Sequence, residues 1–183
     1  MRSSPEGQHL DTSIQNAGKP PDVPRLEHPL LDARLVGASL KVLVDDGETY
    51  KNRLVDVSIA EVEGDVCIRH TVYNTSRYLD PAWVTPRTPN PTRDNGILMV
   101  VKGDHCGKYV RRIHHRHHED DGEKQTLILL AVVNKADGAA DTLTGEQLEL
   151  GPDSLCIAVE TSEDKKLNAR LMDSLRENAR KRR

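Results

Sequence analysis

Apolar positions divide this chain into stretches that can bury themselves and stretches that cannot. Residues 1–33 are rich in Pro, Gly, Ser, Gln and Asn and show no hydrophobic periodicity. Such a segment buries too little surface to offset the entropy of ordering, so it is predicted to be a disordered tail. Residues 34–80 change character. Val55, Val57 and Ile59 alternate with Asp56, Ser58 and Ala60, as a half-buried strand requires, and after the EGD turn Val66, Ile68, His70 and Val72 share one face. DDG and EGD supply turn residues between β-branched runs, which predicts a compact antiparallel β-unit.

Residues 81–95 carry Pro81, Pro86, Pro89 and Pro91. Proline lacks a backbone donor, so this segment is expected to be a stiff connector, with Trp83 as a packing anchor on one of its neighbours. A second β-unit spans 96–160. It begins at ILMVV (Ile97 to Val101), turns at KGDHCGK, returns through YVRRIH, breaks at HEDDGEK and resumes with TLILLAVV, EQLEL and SLCIAVE. No stretch suggests crossover helices, which disfavours a parallel α/β sheet. Over 161–183 the period changes: Leu167, Leu171, Leu175 and Ala179 recur every fourth residue beside Met172, with TSED as an N-cap. A basic amphipathic helix follows, packed on a barrel or laid on a partner.

Composition sharpens this picture. With no Phe, and only Tyr50, Tyr73, Tyr78, Tyr109 and Trp83 as aromatics, the cores must be aliphatic, which small β-barrels tolerate. The net charge of -3 conceals strong segregation. Residues 102–118 sum to +4, 119–164 to -10 and 165–183 to +6 with histidine neutral, and a binding field is set by local rather than summed charge. Cys67, Cys106 and Cys156 are widely spaced and odd in number, which argues for a reducing compartment. The N-terminal stretch has no apolar run, so neither a signal peptide nor a membrane anchor is expected, and the protein is expected to be intracellular.

The window Gly96 to Asp120 concentrates six imidazole or thiol side chains and five Lys or Arg. Within it, LMVVKGDHCGKYVRRIHH resembles a KOW motif, the strand-turn-strand of NusG-type transcription elongation factors and several ribosomal proteins. The resemblance runs through Val100 and Val101, Gly103, Gly107 and Lys108, then Val110 and Ile113. Where many such motifs place a further glycine, this chain has Tyr109. The chain is also similar to KOW-bearing fungal proteins of no assigned activity. The resemblance implies an SH3-like barrel that binds RNA, DNA or a protein and catalyses nothing. The first β-unit looks like another SH3-like or Tudor-like barrel. The expected fold is therefore mainly β: two small SH3-like barrels, a C-terminal α-helix and the tail.

Phosphate recognition needs several cations held in place, and Lys102, His105, Lys108, Tyr109, Arg111, Arg112, His114, His115 and Arg116 are the expected nucleic-acid-binding residues. Gly103 and Gly107 are the turn glycines. A solvated hairpin whose cations balance the acidic 119–164 region within the molecule is the competing reading. His105, Cys106, His114, His115, His117 and His118 lack zinc-ligand spacing, and adjacent His114 and His115 are expected on opposite strand faces, so no metal or cofactor is predicted. The chain lacks a GxSxG elbow, HExxH and a phosphate-cradling GxxxxGK[ST]; no catalytic residue or enzyme is predicted. Nucleic acid is the expected partner, and a docked peptide or protein chain the alternative. Arg180, Lys181, Arg182 and Arg183 read equally as a nuclear import signal or a solubilising helix end.

Overall fold

The computed structural model describes residues 28–120, 123–135 and 142–160, with Lys165, Asp173, Arg176, Glu177, Asn178, Arg180 and Lys181 of the C-terminal segment. Its strands form two five-stranded antiparallel sheets. The first contains β1 (Ser39–Val44), β2 (Arg53–Val62), β3 (Asp65–Val72), β4 (Thr75–Leu79) and β5 (Val84–Pro86), in the order β4-β3-β2-β1-β5. The second contains β6 (Ile97–Val100), β7 (Tyr109–Asp120), β8 (Glu123–Asn134), β9 (Thr142–Leu150) and β10 (Leu155–Ile157), in the order β10-β6-β7-β8-β9.

Both sheets are built by one route. Four strands run as a meander, and a three-residue fifth strand returns beside the first. In each case a 3-10 turn opening on proline feeds the returning strand: Pro81–Trp83 before β5 and Pro152–Ser154 before β10. The matching bonds also recur. Asp45 N, just past β1, donates to Trp83 O, and Val101 N, just past β6, donates to Ser154 O.

The alternation expected on β2 is present, with Val55, Val57 and Ile59 buried and Asp56 exposed. Two-residue turns with positive φ at both positions join β2 to β3 (Glu63, Gly64) and β3 to β4 (Tyr73, Asn74), the geometry whose twist suits a hairpin. The continuous apolar run of β6 has a different cause. All four residues are buried, because Ile97 and Met99 enter a core shared with the first sheet while Leu98 and Val100 enter a second core with Val110, Ile128, Leu130 and Leu155. A strand covered on both faces has no polar side to show. The shared core joins Leu40, Val42, Val57, Ile59 and Ile68 to Ile97, Met99, Val133 and Cys156.

Several expectations change. The sheets are antiparallel and mainly β as predicted, but among the described strands neither closes into a ring: β4 and β5 are the edges of the first and β9 and β10 of the second. The short returning strands join the two sheets instead of completing barrels, through Ile157 N to Arg87 O, Val159 N to Ser39 O and a bridge between Leu40 and Ala158. The predicted tail to residue 33 stops earlier, because Pro29–Leu31 and Ala33–Leu35 form 3-10 turns that put Leu30 and Leu35 fully into the shared core. The expected connector contains β5, which tolerates Pro86 because it lies at a sheet edge. Trp83 packs against the shared core. The strand β7 runs on through the expected break at His118 to Asp120. The described C-terminal residues are helical, and the Leu167, Leu171, Leu175 stripe, Met172, Ala179 and the TSED cap lie outside the described residues. Among the described residues no helix is long and apolar enough to cross a membrane.

Candidate nucleic-acid interface

The glycine-bent hairpin is present: β6 and β7 pair antiparallel from Met99 opposite Tyr109 to Ile97 opposite Arg111. Its turn is closed by Cys106 N to Gly103 O, Lys108 N to His105 O and Gly107 N to Val100 O. Gly103 (φ +77°) and Gly107 (φ +89°) both adopt the left-handed conformation. Gly107 has a second constraint, since a Cβ there would sit 2.7 Å from Arg34 O. Arg34 also donates through Nη1 to Gly103 O at 3.3 Å and chelates Asp32, whose pKa is drawn down to about 2, chiefly by hydrogen bonds from Arg34. The turn is thus fastened onto the segment before β1.

That fastening is matched along the strand by internal ion pairs. Lys108 Nζ lies 2.7 Å from Glu146 Oε1, with His105 Nδ1 4.0 Å from the same oxygen. Arg116 Nε lies 2.5 Å from Glu149 Oε1. Arg111 is buried and paired with Glu160, the two side chains 3% and 7% exposed. The expected row Lys108, Arg111 and Arg112 is therefore not one exposed set of cations. Lys108 and Arg116 are held by β9 carboxylates and Arg111 is inside. Tyr109 is partly buried against the shared core with Lys135 Nζ 5.1 Å from its ring centre, which leaves less of the ring for a base. Lys102 is exposed.

Arg112 differs from the rest. It donates to Pro91 O and Asn95 Oδ1, its Nε is buried with no hydrogen-bond partner among the described residues, and it forms no ion pair there. Arg176 Nη2 reaches the same Asn95 Oδ1 at 3.1 Å. Two guanidinium groups converge on one neutral oxygen. Burial, then the like charge of Arg176, push the Arg112 pKa down, with Asp94 opposing. Arg180, His114 and His115 complete a cleft of about 570 Å3 around them. His115 is lowered below its ordinary 6.5 by burial and then by Arg112, His114 and His117.

The histidine geometry corrects one expectation. Strict alternation would separate His114 from His115, yet both line the cleft and their rings lie 5.6 Å apart. A register shift between Arg112 and His114 leaves Ile113 as an extra, bulged residue, and Ile113 lines the same cleft. His117 Nδ1 meets Thr126 Oγ1 at 3.1 Å. Among the described residues no three His, Cys, Asp or Glu side chains are grouped to hold a metal ion. Cys106 and Cys156 are buried thiols whose pKa values burial pushes up, that of Cys156 to about 12. Burial thus disfavours the Cys106 thiolate, the form that attacks.

Sequence reasoning missed Asn95, Arg176 and Arg180 as partners of Arg112. The +6 block at 165–183 was the available signal, but nothing in linear order places it against β7. The chain matches no protein-family model, and no curated protein sequence matches it.

Proposed function

We propose that this chain is a non-enzymatic nucleic-acid-binding adaptor of transcription or RNA-related type, built from two SH3-like units of which the second carries a KOW-like hairpin, and acting in the nucleus. The observation that carries the reading is the meeting of Arg112 and Arg176 on Asn95 Oδ1, with Arg180, His114 and His115 around them. Like charges this close cost free energy that an anion recovers, and a guanidinium fork matches phosphate oxygens two at a time. A phosphodiester seated there replaces the repulsion with two charge-assisted contacts. The imidazoles at the rim add charge on acidification or lie against an unpaired base. This narrows the expected surface between Lys102 and Arg116 to Arg112, His114 and His115, and adds Arg176 and Arg180.

The test is fluorescence anisotropy of single-stranded RNA and DNA oligonucleotides against the full chain. Three phosphate contacts give a salt slope of about -2 for a single strand, so affinity should fall roughly 20-fold between 50 and 200 mM salt. Arg176→Ala with Arg180→Ala should weaken binding about tenfold or more and flatten that slope. Lys108→Ala with Arg116→Ala should change it little, since those cations already face Glu146 and Glu149. Affinity should also rise as pH falls below 6.5: an anion in the cleft offsets the Arg112 charge that disfavours His115 protonation, so binding takes up a proton. Equal losses from both variant pairs would contradict the proposal.

A further inference from the structure

The first sheet contains a split that its own strands do not fill. The strands β2 and β3 pair from Val62 opposite Asp65 to Ser58 opposite Arg69 and no further. Yet β2 continues back to Arg53, bonded on its other side to β1, and β3 continues to Val72, bonded on its other side to β4. Residues 53–57 and 70–72 thus face one another across a gap without a ladder. The gap opens into a groove of about 660 Å3.

Its lining has a definite chemistry. Leu54 and Val72 stand 50% and 45% exposed on either wall, next to Tyr73, which is 97% exposed at the hairpin tip. Arg53 and Arg77 line the groove and form no ion pair among the described residues. Arg77 is held in place: its guanidinium lies over the Tyr50 ring at 4.5 Å and donates to the Tyr50 hydroxyl, which bonds in turn to buried His70 Nδ1 at 3.0 Å. Asp56 is the one carboxylate among the described residues of the lining, and Lys41 Nζ occupies it at 2.8 Å. The nearby Asp45 and Asp46 turn back on their own loop, accepting from Gly47 N, and from Glu48 N and Tyr50 N.

We propose that the split between β2 and β3 is a docking groove for an extended acidic peptide segment of a partner protein. An extended chain supplies the backbone donors and acceptors the facing strands lack, as in strand addition, and alternates its side chains between the walls. Carboxylates of the segment meet Arg53 and the fixed fork of Arg77, and aliphatic residues meet Leu54 and Val72. A nucleic acid fits less well. The two rings among the described lining residues, Tyr50 and His70, are 5% and 8% exposed, and Arg77 already covers the Tyr50 face. Neither offers a stacking platform within the groove, and the exposed Tyr73 ring lies outside that lining. The groove is separate from the Arg112 cleft, and its occupant is independent of the reading given above.

The probe is a fluorescein-labelled peptide of about twelve residues alternating Glu with Leu, titrated against the full chain, with a Gln-for-Glu version and a single-stranded RNA of similar length as competitors. Arg53→Glu, an exposed change, should weaken binding about tenfold or more, and Arg77→Lys, which keeps the charge and loses the fork, several-fold. The Gln peptide should bind about tenfold more weakly. Amide exchange should slow at residues 53–57 and 70–72 when the Glu peptide is bound. Peptide affinity unaffected by both substitutions would overturn the proposal. So would displacement by RNA that Arg53→Glu abolishes, because the groove would then belong to nucleic acid.

Discussion

Gly103 and Gly107 look alike in sequence, four residues apart in one turn, yet they do different work. Both hold positive φ, but a Cβ at Gly103 meets open space whereas one at Gly107 meets the Arg34 carbonyl at 2.7 Å. The first residue needs glycine for its backbone angle alone, the second also for room. Gly103→Ala should therefore cost about 1 kcal/mol, and Gly107→Ala about 2–3 kcal/mol, since the clash adds to the backbone strain. Thermal melts check this: at this chain length each kcal/mol lowers the midpoint by roughly 2–4 °C. The positive φ at both was legible from Gly placement in the motif. The Arg34 contact was not, because it joins positions far apart in the chain. Burial at single positions followed the same division: Val55, Val57 and Ile59 announced themselves by alternation, while Arg111 did not. A cation in a basic run reads as exposed until a carboxylate from another element, here Glu160, is found beside it.

At the scale of elements, turn chemistry was readable where the residues suit it and silent where they do not. EGD gave the β2 to β3 turn, with Gly64 at φ +89°. The β3 to β4 turn is formed by Tyr73 and Asn74 at φ +48° and +66°, and a tyrosine in the left-handed region is not a signal any propensity supplies. Relieving it should help stability: Tyr73→Gly is expected to raise the unfolding free energy by about 0.5–1 kcal/mol, measured by urea titration. A loss would mean the exposed ring makes contacts that outweigh its backbone strain. The two short returning strands were not equally legible. The strand β10 lies inside the SLCIAVE run read as β, whereas β5, three residues after a proline-led 3-10 turn, carries too little periodicity to register and lay inside an expected connector. The bulge at Ile113 was also invisible, and Ile113 lines the cleft with His114 and His115.

For the whole molecule, the charge blocks of the sequence turn out to be partly an internal account. Glu146 and Glu149 of the acidic stretch take Lys108 and Arg116, and Glu160 takes Arg111. That was the competing sequence reading, and it holds for three of the five basic residues between Lys102 and Arg116. The buried pair matters most. Glu160→Ala removes a carboxylate bonded to a buried guanidinium, so it should cost about 3 kcal/mol, a fall of roughly 10 °C in Tm by scanning calorimetry. Glu149→Ala, which breaks an exposed pair, should move Tm by only about 1–2 °C. The mainly β character was legible because strand runs dominate from Ser39 to Ile157. The sharing of one core by two sheets was not, since no local pattern says which sheet an apolar residue of β6 will meet.

That shared interior links events at opposite ends. Ile97 and Met99 pack with Leu40 and Ile68, so neither sheet can loosen without opening the other. A ligand gripping either end should steady the entire body, and heating should melt both halves in a single cooperative step.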